Sequence, residues 1–383
     1  MRVWAGSHIE WAWHNARLAV GVMTVVTLLS PIRVNASTWQ PPAYSVTPIG
    51  ALSLGESSYA VGVNNRGDVA GEIGSGRSYT PFLYRNGHVS LIPSPKDISQ
   101  LQVVGLNDAD VLSAQAFLTD GRSGAFAIVP RNGGFNWVAL TTASPNDDIS
   151  AVADVAANGD IAGGITIHLA HGGFQIRSVI WKALPAGRYA VAKLLPLANG
   201  YNISISGGVW TRKGTTYVAG AQGNGSLQSA CLWSPSPSLT SLANGTPFIT
   251  TIGGVGGEVY GAGMTFVQQG GSYAWVARIA FNKAGGASLR RPVILPGLGA
   301  YGDEVGLGVS VDAQGNPIVV GGAANDSWIV ATYWTRDQVF LFQSMVRSSK
   351  WTITDAAGIN RIGEVAANGT LNGVEHALLL RPL

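Results

Sequence analysis

The chain has 383 residues, of which 12% are charged, 46% hydrophobic and 51 glycine, with a formal net charge of +3. Such an apolar, glycine-rich mix excludes an intrinsically disordered chain and suits many short strands joined by tight turns. Nucleic-acid binding is excluded as well: without residues 1–36 the balance falls to +1, and the densest basic pair, Arg290 and Arg291, belongs to no basic stripe.

The first 36 residues have the three parts of an export signal. Arg2 and Arg17 lie in a long n-region, Leu18 to Leu29 is apolar, and Val34-Asn35-Ala36 sets a cleavage point before Ser37. The apolar run of twelve is short for a bilayer span. The expectation is a secreted chain, extracellular or periplasmic, with no transmembrane domain once the signal is removed, and monomeric; an uncleaved signal anchor is the alternative. Cys231 is the only cysteine, so no intrachain disulfide forms, and its run SACLW reads as a buried structural thiol.

Beyond this segment a unit of roughly fifty residues recurs, clearest at 58–94 and last at 351–383. In the first copy YAVGVN, DVAGEI, TPFLYR and HVSLIP alternate as strands A to D. Its turns, Asn64-Asn65-Arg66-Gly67 and Asn86-Gly87, suit positive φ. The A–B turn is followed through Gly159, Gly214, Gly257, Gly315 and Gly363, whereas the second copy, LNDADVLSA, has Asp110 next to where the glycine should be. Tyr84, Trp181, Trp233 and Trp334 recur near the end of strand C and are expected to pack between adjacent sheets.

The A–B pairs fall at 58–73, 100–115, 149–165, 203–221, 248–263, 304–321 and 352–367, with SISGGVW and PFITTIGGVGG as poor strand A candidates. At the end, HALLLRPL reads as a strand C with nothing after it, while YSVTPIG precedes the first strand A. The N-terminal strand 44–50 is therefore expected to supply the missing strand D, close the ring and remove an open edge. Residues 37–383 are thus predicted to form a single all-β domain, a seven-bladed β-propeller of four-stranded blades, with six or eight blades left open.

The pattern A-x-x-[VI]-N-x-x-G-x-V-x-G followed by F-L-[WY]-x-x-G, in AVGVNNRGDVAG and PFLYRNG, resembles the HAF repeat of bacterial extracellular repeat proteins. AAGINRIGEV matches again near the end, and VAANGDIAGG and VDAQGNPIVVGG match in part. The resemblance spans most of 45–383 and implies a secreted or surface propeller-like protein, with no catalytic motif to carry over. Ala367 stands where the first copy has Gly71.

In a propeller the D–A and B–C loops share one face, where ligands usually bind. Asp97, Asp147 with Asp148, and Asp303 with Glu304 fall in such loops. Converging carboxylates could hold Ca²⁺ or serve as acid and base, and the same residues could simply order their own turns. His168 and His171 lack an adjacent third metal ligand, and Arg66-Gly67-Asp68 coincides with a turn of the repeat. Arg77, Tyr79, Tyr273 and Trp328, in predicted B–C loops, are candidates to contact a glycan or protein. No G-x-S-x-G, phosphate-cradling or H-E-x-x-H motif is present. The expectation is a non-enzymatic binding scaffold without cofactor, Ca²⁺ being the one candidate ion. An extracellular hydrolase or lyase using the loop carboxylates is the alternative, and a structural envelope component a third.

Overall fold

The computed structural model describes residues 40–50, 56–76, 78–234, 236–240, 245–267, 271–290, 292–299, 302–325, 329–347 and 350–383. The expected export signal lies outside them, as do Arg77 and Trp328. Strands make up most of the described residues, the rest being chiefly turns and loops; their helical pieces are a turn at Pro185–Gly187 and another at Phe342–Met345. No helix among them is long and apolar enough to cross a membrane.

The strands form antiparallel four-stranded units in chain order. The first runs Ser57–Val63, Val69–Ser75, Ser78–Arg85 and His88–Leu91, and the second Ile98–Leu106, Leu112–Leu118, Ser123–Arg131 and Gly134–Leu140. A third begins at Asp148–Val155 and a fourth at Ile203–Arg212. The units beginning at Gly245–Val255 and Asp303–Val311 are joined into one nine-stranded sheet by the parallel pairing of Ser272 with Asp303. The last unit, Thr352–Ile359, Val365–Leu371 and Val374–Pro382, takes its fourth strand from Tyr44–Pro48, with Val46 opposite Leu380. The strands named YSVTPIG and HALLLRPL in the sequence are thus hydrogen-bonded neighbours.

First strands touch one another in chain order, and Ser57–Val63 also packs on Thr352–Ile359. Strand C aromatics fill the spaces between units: Trp181 packs with Val111 and Ala125, Trp233 with Ile180, Trp334 with Val276, and Tyr84 with Leu379. Trp181, Trp233 and Trp334 each donate their indole N–H to the linker entering their own unit, at Thr141 O (2.9 Å), Pro196 O (2.8 Å) and Pro296 O (3.1 Å). Each ring thereby removes about 150–250 Å² from water without orphaning its polar atom. Cys231 is buried in one of these layers, and burial pushes its thiol pKa up.

The A–B turn shows why the repeat carries asparagine and glycine. Asn64 Oδ1 accepts the backbone N–H groups of Arg66 and Asp68, both at 3.0 Å, and Gly67 turns the chain at φ +79°. Asn107 and Asn360 do the same in their own turns. Their amides also cross to the next unit: Asn360 Nδ2 donates to Asn64 O (3.0 Å), Asn64 Nδ2 to Asn107 O (3.3 Å) and Asn107 Nδ2 to Ala156 O (2.9 Å).

Several expectations need correction. Asp110 is not beside the glycine position but in it, at φ +57°; its carboxylate is held by Arg66 and Arg85, which offsets the left-handed strain. In the fifth copy it is Gly256, at φ +65°, that takes the left-handed conformation, rather than Gly257. The two poor strand A candidates are the long strands Ile203–Arg212 and Gly245–Val255.

Candidate functional site

Each first strand breaks register with its partner at the same level, as a β-bulge. The shifts fall between Ala60 and Gly62, Val103 and Gly105, Val152 and Asp154, Ser206 and Gly208, Ile249 and Thr251, Gly306 and Gly308, and Ala356 and Gly358. A bulge leaves one residue unpaired and re-aims it. Here the skipped residues, Val61, Val104, Ala153, Gly207, Thr250, Leu307 and Ala357, all line one cavity of about 360 Å³. Its lining runs on to Asn65, Asp108, Ala157, Thr211, Gly254 and Arg361, so it ends at the A–B turns.

The residue after the bulge is glycine in most units, and in two of them neighbouring strands nearly touch there. A Cβ on Gly308 would lie 2.8 Å from the Cα of Gly358, and one on Gly208 2.8 Å from the Cα of Thr251. Asp154 occupies this glycine slot in the third unit. Its Oδ1 accepts the N–H of Val155 at 2.7 Å, and Oδ2 lies 3.4 Å from the N–H of Val209 across the unit boundary. Part of the residue touches solvent, yet burial of the carboxyl group pushes its pKa up to about 7 against the pull of those two donors. Trp210, half-buried, also contributes to the lining, with its side chain packed against the core between the fourth and fifth units.

None of the described sequence candidates lines this cavity. Asp148 is the first residue of its strand, exposed, with Oδ2 2.9 Å from His168 Nε2. Asp147 donates its N–H to Ser144 O at 3.1 Å, ordering its own turn. Asp303 begins a strand, 3.5 Å from the Ser272 hydroxyl. Glu304 is buried; its Oε1 accepts Leu298 N–H at 2.7 Å, tying down the linker ahead of it, and burial raises its pKa. Tyr273, 42% exposed, lies in the strand Ser272–Phe281 rather than in a loop. Among the described residues no three His, Cys, Asp or Glu side chains gather as a metal-holding group.

Tyr79 belongs to a different constellation. Its ring lies 5.8 Å from that of Tyr59, whose hydroxyl donates to Glu375 Oε2 on the last unit. Nearby, Asp355 accepts Asn368 Nδ2 at 2.8 Å, and burial raises its pKa to about 6. Glu72, buried between the first and second units, accepts the N–H of Val103, and burial pushes its pKa up to about 8.

The sequence contained one usable signal for the cavity. Aligned on the turn, the copies read VGVN, VGLN and AGIN, whereas the third reads ADVA, with Asp154 breaking the glycine column.

No protein-family model matches the chain, and no curated protein matches it. Among solved structures it is similar to the β-propeller domain of Cps50 (Swd1) from Myceliophteria thermophila, at 11% identity over 88% of this chain and 99% of that one, with a TM-score of 0.48. It is also similar to YjhT, at 10% identity over 76% and 96% of the two chains (TM-score 0.43), and to a puromycin hydrolase mutant, at 13% identity over 85% and 52% (TM-score 0.46). None of these likenesses is close enough to carry an activity or a ligand across.

Proposed function

We propose that the units form a seven-bladed propeller, closed by Tyr44–Pro48, that acts outside the cytoplasm as a non-enzymatic binding scaffold for a glycan or protein partner. The HAF-like repeats and the export signal support the location. The contact between the first strands of the first and last units supports the ring.

One observation carries the site. Equivalent bulges in every first strand aim their unpaired residues into a single cavity of about 360 Å³, within the range that holds a small ligand or the tip of a larger one. Its wall combines apolar residues such as Val61 and Leu307 with Thr250, Trp210 and Asp154, an apolar body with few polar groups to fix orientation. On this reading the partner enters from the A–B turns.

The test is a binding screen of oligosaccharides and short peptides by ligand-observed NMR, repeated on variants. Trp210→Ala is expected to weaken a hit at least tenfold, and the Tyr79→Ala, Tyr273→Ala double variant to leave it unchanged. The opposite pattern would move the site to the other face.

A further inference from the structure

Resting on the cavity reading above, we propose that the group received there is a cationic amine, with Asp154 as its counter-ion. Asp154 sends a carboxylate into a ring of positions otherwise held by Gly62, Gly105, Gly208, Gly308 and Gly358, plus Thr251. An ionised carboxylate offers about four acceptor sites. The structure fills two of them, with Val155 N–H and the longer Val209 N–H, and among the described residues no cationic side chain bonds the carboxylate.

The surroundings leave this charge unanswered. Ile98–Leu106 and Leu112–Leu118, packed against the strand of Asp154, carry no ionisable residue. Ser123–Arg131 has Arg131 at its far end, and His168, at the end of Ile161–His168, is bound to Asp148. Ile203–Arg212 ends in Arg212, whose guanidinium carbon sits 4.2 Å above the Phe281 ring. At the rim stand Asp108, bonded to Asn65, and the exposed Arg361.

One buried hydroxyl lies close to the carboxylate. The hydroxyl of Ser113, a wholly buried residue, has no partner among the described residues. It lies against the bare face of Gly105 together with Asp154 Oδ1, 2.9 and 2.6 Å respectively from where a Cβ would stand. Ser113 does not itself line the cavity, and its hydroxyl can give Asp154 at most one neutral hydrogen bond, which leaves the charge of the carboxylate unneutralised. A protonated amine satisfies a desolvated carboxylate that a neutral hydroxyl answers only weakly.

The experiment titrates the full-length protein with butylammonium chloride, n-butanol and sodium butyrate at pH 5.5 and pH 8, following shifts of side-chain and backbone resonances by NMR. Butylammonium is expected to bind more tightly than the other two, and at least tenfold more tightly at pH 8 than at pH 5.5, because Asp154, with its pKa raised to about 7, ionises in that interval. Asp154→Asn is expected to remove both the preference and the pH dependence without changing the weak binding of n-butanol. The wild-type pH comparison stands even where that variant is unstable. Equal binding of amine and alcohol at resonances of the cavity wall, or amine binding indifferent to pH, overturns the amine assignment and leaves the cavity in place. Probes that shift no cavity resonance overturn both.

Discussion

Asn368 clasps Ala60 twice across the boundary between the last and first units: its Oδ1 accepts the Ala60 N–H at 2.7 Å and its Nδ2 donates to the Ala60 carbonyl at 3.1 Å. An amide suits this place because it both gives and accepts. One unit later the equivalent position is Glu72, which accepts the N–H of Val103, the counterpart of Ala60. A carboxylate can give nothing back unless it is protonated, and burial raises its pKa from 4.5 to about 8.

Folding therefore favours neutral Glu72. Its folded pKa is raised, so the stability it contributes is complete below about pH 4.5 and is lost as pH climbs through about 8. Wild-type protein is expected to melt at a lower temperature at pH 8.5 than at pH 5, with Glu72 contributing a few kcal/mol of the difference. Glu72→Gln, which copies the amide of Asn368, is expected to be more stable at pH 8.5 and to show a smaller fall. Asp154 and Asp355 act in the same direction, so a residual slope remains. Thermal melts of both proteins across this range check it; identical slopes would refute it.

Asn64 links a turn to its neighbour, so removing it costs more than a surface asparagine would. Asn64→Ala leaves the N–H groups of Arg66 and Asp68 and the carbonyl of Asn107 without their partner, a loss of about 1–3 kcal/mol. Asn64→Asp keeps the two acceptor bonds but sets a carboxylate against Asp68 and Asp110, whose oxygens lie 3.2 and 3.1 Å from the present amide nitrogen. Urea denaturation is expected to show Asn64→Asp no more stable than Asn64→Ala.

Glycines of the same repeat have opposite tolerances. A Cβ on Gly71 would meet Tyr59 O at 1.9 Å and the Phe82 ring at 2.7 Å, whereas one on Gly62 has nothing within 4 Å. Gly71→Ala is expected to cost about 3 kcal/mol or more, through forced separation of two strands. Gly62→Ala is expected to stay within about 1 kcal/mol of wild type. Paired denaturation curves decide between them.

Most strand pairs were legible because alternation and turn chemistry are local. Asn86-Gly87 sits at φ +50° and +84°, the two-residue hairpin its sequence announces. Legibility failed where glycine answers to a neighbour rather than to its own strand. SISGGVW looks like a weak strand because glycine lowers β propensity, yet a Cβ on Gly207 would fall 1.9 Å from Ile249 O. The cavity showed only as the break at Asp154, for a related reason: a bulge is a mismatch between two strands, and no single strand shows it. Glu304 illustrates the limit for sites, since a carboxylate before a strand reads the same whether it faces solvent or, as here, holds a linker from within.

The most direct measurement is a crystal structure of the mature chain. The account predicts seven four-stranded blades, Tyr44–Pro48 paired with Val374–Pro382, and one axial cavity at the A–B turns with Asp154 on its wall. An open stack of sheets with Tyr44–Pro48 placed elsewhere, or a centre filled by side chains with no cavity, would contradict it.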